Sequence, residues 1–274
     1  MHLITFNING IRSHINQLKI IINHYKPDIL CIQETRVKDN LFPLKEIEKC
    51  GYVVLFKGKK QHCGVATFLK MNPITVQYGL KLNDSSENKF RVITVDLKIK
   101  KRILKVINVY FPNGNNLNNS KKFKEKKIFY KKFSNFLDSF RNTVSTIIMG
   151  DMNVCPYDID IGFNKCKINH WISKGYCSFL PEEKLWLKKI FSKGLIDVYR
   201  KMHPKKKDYS WFDYRFDSFN KRIGLRIDFI LSSKDIFKYF KKIYMNYYFR
   251  TFSNTSDHVP IHATIDENLF NKDR

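Results

Sequence analysis

The sequence predicts an α/β sandwich, with two packed, mixed β-sheets and helices on the outside. Three observations carry that expectation. Short apolar runs rich in β-branched residues recur along the chain. The first 33 residues read as strand, helix, strand. A later stretch returns to helical spacing between strand-like runs, as a helix lying on a sheet requires.

Leu3–Ile8 is the first strand-like run. Ile15, Leu18, Ile21 and Ile22 then fall on one face of a helix over Ile15–Tyr25, which Pro27 stops. Asp28–Gln33 is a second apolar run, so the two strands are expected to be buried and parallel. Tyr52–Phe56, Val65–Leu69, Ile74–Tyr78, Arg91–Ile99 and Ile103–Tyr110 read as strands joined by short polar turns. Over Lys124–Phe140, the residues Ile128, Phe129, Phe133, Phe136, Leu137 and Phe140 form the apolar stripe of a helix. Thr146–Met149 is a strand running into Gly150-Asp151-Met152-Asn153. Glu182–Lys193 reads as a helix, and Arg226–Ser232 and Val259–Ile265 as late strands. Neither a Gly/Ser/Pro linker nor a fixed-period repeat divides the chain. Residues 1–274 are therefore expected to form one domain, with a short polar tail from about 267.

Composition excludes several classes. With 43% hydrophobic and 15% aromatic residues the chain is too apolar to be disordered. No run approaches the roughly 20 apolar residues of a membrane span, and the first residues lack a secretory pattern. Six cysteines are scattered without a C-x-x-C pair. Cys166 and His170 have ligand-like spacing, but no second pair completes a zinc site. Reduced thiols and a cytoplasmic location are expected. The balance of 50 Lys+Arg against 25 Asp+Glu, a net charge of +25, attracts polyanions. Nucleic acid is the natural partner, although the abundance of Lys, Asn and Ile together also fits drift towards AT-rich codons.

Polar residues stand where apolar runs stop, the usual address of an α/β active site. Asn7 closes the first strand, Glu34 the second and Tyr110 the run from Ile103. Asp151 and Asn153 follow Thr146–Met149, while Asp257 and His258 precede the last strand. Carboxylates and amide oxygens suit a hard divalent ion such as magnesium. His, Asp and Tyr can share the activation of water, charge stabilisation at phosphorus and departure of the leaving oxygen. Asp228 lies inside an apolar run, where a carboxylate needs a partner. An imidazolium, a metal, or a salt bridge to Arg222 or Arg226 would each serve.

Ordered motifs then disclose a resemblance. They are Phe6-Asn7-Ile8-Asn9-Gly10, Leu30-Cys31-Ile32-Gln33-Glu34-Thr35, Gly64-Val65-Ala66, Asn108-Val109-Tyr110-Phe111-Pro112 and Ile148-Met149-Gly150-Asp151-Met152-Asn153. Ser210-Trp211-Phe212-Asp213-Tyr214, Gly224-Leu225-Arg226-Ile227-Asp228 and Ser256-Asp257-His258-Val259-Pro260 complete the set. Over residues 1 to 265 the chain resembles the exonuclease III family of apurinic/apyrimidinic endonucleases, within the endonuclease–exonuclease–phosphatase superfamily. Cys177-Ser178-Phe179-Leu180-Pro181-Glu182-Glu183 looks like its bacterial branch.

The resemblance implies a four-layer, DNase I-like α/β sandwich and a magnesium-dependent DNA repair phosphodiesterase, with manganese as a substitute ion. It implies three activities: 3′→5′ exonuclease on duplex DNA, incision 5′ to abasic sites, and removal of 3′-phosphates or 3′-blocking groups. The partner would be double-stranded DNA with abasic sites or 3′ ends, met by a monomer at the bacterial nucleoid. Glu34 would be the principal metal ligand, with Asn7 and Asp257 close by. Asp151, Asn153 and His258 would approach a second metal position. Asp151 would act as general acid or base, Asn153 would hold the phosphate, and Tyr110 would serve the nucleophile or leaving-group side. His258 would contact phosphoryl oxygens, kept cationic by Asp228.

Trp211, Leu225 and Ile227 would wall a pocket for a base-free sugar, compact enough to be flipped out of the helix. Arg91 and Lys122 would contact phosphates. Asn113 replaces a more usual Gln, which shortens its reach, and Cys155 stands in place of a Ser or Ala, where it would expose the site to oxidation. Two rival readings remain open: a superfamily phosphoesterase acting on a phospholipid or inositol phosphate headgroup, and a catalytically inactive DNA-binding module.

Overall fold

The computed structural model describes residues 1–47, 50–60, 63–118, 120–140 and 144–268. Most of the expected polar tail lies outside the described residues. The chain opens with β1 (His2–Asn7), α1 (Ile15–Ile20) and β2 (Ile29–Gln33), with β1 and β2 parallel as expected. The predicted first helix is present, but its last turn widens to π geometry over Ile21–Tyr25 and ends on a left-handed Lys26 just before Pro27. Next come β3 (Val53–Lys59), β4 (Cys63–Leu69), β5 (Thr75–Tyr78), β6 (Val92–Ile99) and β7 (Arg102–Tyr110). Helix α2 (Ser120–Asp138) crosses to β8 (Ser145–Asp151), parallel to β7. Then follow α3 (Lys165–Ser173), α4 (Pro181–Phe191), β9 (Leu195–Asp197) and α5 (Val198–Met202). The last elements are β10 (Trp211–Phe212), β11 (Gly224–Leu225), β12 (Asp228–Ser233), α6 (Lys234–Phe237), β13 (Phe240–Met245) and β14 (Ile261–Ile265).

Among the described residues the strands build two six-stranded sheets, ordered β13-β14-β1-β2-β4-β3 and β5-β6-β7-β8-β12-β9, and a ribbon of β10 and β11. Alternation within each strand explains why the sheets stack. Leu3, Ile29, Cys31, Val65 and Leu69 point inward to meet Val95, Leu104, Val106, Ile147, Met149 and Ile230. The intervening Ile4, Phe6, Leu30 and Ile32 face outward and are covered by Leu18, Ile21 and Ile22. On the other side Ile107, Val109, Ile148, Phe229 and Leu231 lie under Phe129, Phe133 and Leu137 of α2 and Leu187 and Ile190 of α4. The result is the expected four layers. Ile128, placed in the α2 stripe from sequence, is 51% exposed, because the buried face centres on Phe129, Phe133 and Leu137.

The inter-sheet core is not wholly apolar. Gln33 of β2 donates from Nε2 to Asn108 Oδ1 of β7 at 2.8 Å, and Asn108 Nδ2 donates to the Ala66 carbonyl and Thr67 Oγ1 of β4. All three side chains are buried. A satisfied network of this kind fixes the register between layers. The expected strand over Arg226–Ser232 starts two residues late, at Asp228. Arg226 and Ile227 precede it, and Gly224 and Leu225 pair with Phe212 and Trp211. Strand β13 was not foreseen, since Lys241 and Lys242 stand side by side at a bulge and break its alternation.

Candidate active site

The C-terminal ends of β2, β7 and β8 open on one cavity of about 530 Å³, with Asn7 of β1 and Asp228 of β12 buried behind its lining. Its lining includes Glu34, Tyr110, Asn113, Asp151, Asn153, Trp211, Leu225, Ile227, Asp257 and His258. Sheet register explains the convergence: Asp151 lies opposite Tyr110 on one side and Asp228 on the other. At Gly150 the strands run so close that a Cβ would lie 1.9 Å from the Val109 carbonyl oxygen, so only glycine allows Asp151 to follow there. Glu34 and Asn153 both adopt left-handed backbone, at φ 59 and 55, which turns each side chain off its strand into the cavity.

Hydrogen bonds join several of the predicted residues in small groups. Asn7 Nδ2 donates to Glu34 Oε2 and to Asp151 Oδ2, both at 2.9 Å. Asp151 also accepts from the Asn153 backbone at 2.8 Å and from Asn153 Nδ2 at 3.1 Å. Asn113 Nδ2 reaches Asn153 Oδ1 at 3.0 Å, so the shorter side chain still takes part. His258 Nδ1 pairs with Asp228 Oδ2 at 2.8 Å, and His258 Nε2 faces Asp151 Oδ2 at 4.0 Å. Trp211 Nε1 donates to Asp257 Oδ2 at 2.8 Å. Asp228 is thus paired with the imidazole. Arg226 instead binds Asp160 and Asp197, and Arg222 binds Asp208.

The electrostatics follow from burial and neighbours. Burial first, then the charge of Asp228, holds the Asp151 carboxyl well above the usual carboxylate range, although His258 and Asn7 oppose the rise. For His258 burial alone would depress the imidazole. The charge and hydrogen bond of Asp228, with Asp257 and Asp151 beyond, outweigh burial and raise it to about 10. Burial, with Glu34 and Asp151 nearby, keeps the Tyr110 phenol protonated. Both shifts favour the protonated form of the two groups, which face each other across 4.0 Å.

The remaining expectations divide. Trp211, Leu225 and Ile227 form one apolar wall, backed by Phe163 and Phe179. Arg91 and Lys122 lie outside this cavity, in a neighbouring one of about 740 Å³ that also carries Lys59, Lys121 and Lys132. Arg91 touches the site from behind, with its guanidinium 5.2 Å from the Tyr110 ring centre. Cys155 does not expose the site to oxidation. It is fully buried, and burial pushes its thiol far up, leaving no accessible thiolate. Two contributors escaped sequence reading. Asn9 Nδ2 donates to Asp257 Oδ1 at 2.8 Å, and Arg36 donates from Nε and Nη2 to Glu34 Oε1. The Asn-x-Asn and Glu-x-Arg spacings were the only available signals.

Comparison with known proteins agrees with this geometry. A family model described as the Endonuclease/Exonuclease/phosphatase family matches residues 4–258. Exodeoxyribonuclease III of Haemophilus influenzae is 39% identical over 265 residues, covering 96% of this chain and 99% of its own. The structure of a 3′ phosphatase from Neisseria bound to a product DNA hairpin superposes with TM-score 0.87 at 30% identity, over 97% of this chain and 99% of that one. An AP endonuclease from Archaeoglobus fulgidus gives TM-score 0.86 at 31% identity, with the same coverage. No helix among the described residues is long and apolar enough to cross a membrane. With its DNase I-like sandwich and this rim of acidic and imidazole groups, the chain belongs to the endonuclease/exonuclease/phosphatase family and is a hydrolase of the nuclease kind.

Proposed function

We propose that the protein is a magnesium-dependent DNA repair phosphodiesterase that incises beside abasic sites and trims 3′ phosphates and 3′-terminal nucleotides of duplex DNA. The observation that carries this reading is Asp151 Oδ2 facing His258 Nε2 across 4.0 Å, beside a cavity with one apolar wall. The relatives above act on DNA ends and abasic sites, and the basic cavity beside the site supplies a path for phosphates.

The donors fit a hard divalent ion. Glu34 turns an oxygen-rich edge to the cavity beside Asn7 and Asp257, and Asp228 Oδ1 is a buried oxygen without a hydrogen-bond partner. Ligand atoms of Asp151, Asp228 and His258 lie within 4.8 Å of one another. Glu34 would hold the ion, with Asn7 and Asp257 close by; Asp151 and Asn153 would approach a second position, which His258 would join only with its Nε2 deprotonated. When bound, magnesium or manganese would neutralise charge developing on the phosphoryl oxygens.

The chain's own groups do the rest. His258 Nε2, fixed by the Asp228 bond to Nδ1, donates to a phosphoryl oxygen. As water attacks phosphorus and the bond to the leaving oxygen breaks, Asp151 gives its proton to that oxygen and the water's proton passes to bulk solvent, while Tyr110 and Asn153 orient the phosphate between them. Trp211, Leu225 and Ile227 accept a compact sugar and exclude a base-bearing one. The test is a duplex carrying one abasic site and one 3′-phosphate end, incubated with magnesium or with chelator. Cleavage 5′ to the abasic site and phosphate release, both abolished by chelator, are expected. No magnesium-dependent product at either position would overturn the reading.

A further inference from the structure

The Ser178-Phe179-Leu180-Pro181-Glu182-Glu183 segment touches no proposed substrate position through its acids, yet it ends in a buried charge. Glu183 and Lys126 of α2 form an ion pair with both side chains fully removed from solvent. Taking two charges out of water is costly, so such a pair is weak evidence for stability and asks for another explanation. Each partner makes further bonds. Glu183 Oε2 accepts from the Ser178 and Leu180 backbone amides at 2.7 and 2.9 Å, closing the start of α4. Lys126 Nζ donates to the Asn153 carbonyl oxygen at 2.9 Å.

That carbonyl belongs to the turn that carries the chemistry. The side chain of Asn153 holds Asp151 and accepts from Asn113, and its backbone sits in the left-handed region. The Lys126 stem also runs beneath Gly114, where a Cβ would come within 2.8 Å of its Cδ. Four residues further along α2, the turn gains a second anchor, as Tyr130 OH donates to the Met152 carbonyl at 2.6 Å. Cys155 N completes the frame by bonding the Ser178 carbonyl.

We propose that Lys126, oriented by Glu183, is a positioning residue for the reaction. Its ammonium locks the Asn153 carbonyl and so sets the aim of Asn153 and Asp151 at the phosphate. The inference deepens the proposed function and rests on it.

The decisive variant is Lys126→Met/Glu183→Gln, which removes both charges while leaving an acceptor for the Ser178 and Leu180 amides. Three readouts are compared with wild type: thermal unfolding, kcat and KM on the magnesium-dependent abasic-site reaction, and amide hydrogen exchange across residues 151–154. A folded double variant is expected, with kcat lower by about tenfold, the scale of one charge-assisted hydrogen bond. KM should stay within about twofold and exchange in 151–154 should quicken. Wild-type kcat and exchange in the folded double variant would overturn the proposal. So would a double variant that does not fold, since the pair would then be a fold determinant. Lys126→Met alone, if folded, should show the same loss of kcat. If wild type itself shows no turnover, the proposed function fails, and the exchange measurement still decides whether Lys126 holds the turn.

Discussion

Arg226 and Asp228 are two residues apart and both buried, yet they belong to opposite kinds of charge cluster. Arg226 donates to Asp160 and Asp197, and Arg200 adds a second guanidinium on Asp160, so two cations meet two carboxylates. Asp228 stands in a group with Asp151, Glu34 and Asp257, with His258 and Arg36 paired to two of these acids. One cluster is balanced and closed. The other carries surplus acid and lies beside an opening to solvent, while each cluster leaves a buried polar atom unpartnered, Arg226 Nη1 in the first and Asp228 Oδ1 in the second. The contrast teaches that burial of charge alone does not mark a site; imbalance with an open side does.

Three experiments probe that contrast. Asp151→Asn should lower kcat by about 10³-fold, since the amide cannot deliver a proton, while affinity for duplex DNA holds. An equal loss of binding would show that Asp151 is an ordinary member of a structural cluster. Arg226→Met should do the reverse. Leaving Asp160 and Asp197 facing one cation fewer should lower stability by about 3 kcal/mol in denaturant titration, with kcat per folded molecule unchanged. Asp228→Asn should lower kcat by about 10²-fold. In the metal-free protein it should also bring the His258 titration, followed by NMR, down from about 10 as burial loses its opponent.

The smallest effect concerns His262, a buried group outside both clusters. Burial, followed by the charges of His2 and Lys242, lowers its pKa to about 3 from 6.5. The folded state therefore keeps this imidazole neutral while the unfolded chain takes up a proton below pH 6.5. Its contribution to stability is complete above pH 6.5 and is lost as pH falls towards 3, with a slope up to about 1.4 kcal/mol per pH unit. His262→Gln should flatten the stability profile by about 1 kcal/mol over that first unit of acidification, with activity near neutral pH unaffected. Equal slopes in the two proteins would place the imidazole in water.

Sequence patterning revealed the layers because period-two and helical apolar runs respond to burial, the same quantity that builds a sandwich. Strand ends located Asn7, Glu34, Tyr110 and Asp151, since sheet termini are visible as the last apolar residue. What stayed hidden depended on three-dimensional coincidence. Lys126 is one lysine among many in α2, and nothing in Lys124-Glu125-Lys126-Lys127 marks the one that turns inward. Arg36 was passed over because its guanidinium folds back two residues to Glu34 through a left-handed backbone at φ 55. The partner of Asp228 lies 30 residues away at His258; the apolar run itself left an imidazolium, a metal, Arg222 or Arg226 open, and only the family resemblance named His258.

The Gln33–Asn108 clamp has a consequence for how the chain tolerates insertions and deletions. It bolts the two sheets together one residue before Glu34 and two before Tyr110. Length changes in the loops beyond the rim leave that bolt untouched, and the surface can absorb them. A residue added between Gln33 and Glu34, or between Asn108 and Tyr110, would rotate the working side chain to the other face of its strand with no means of sliding the sheet to compensate. The clamp therefore marks two short stretches where lineages of this fold can exchange residues but not change their number.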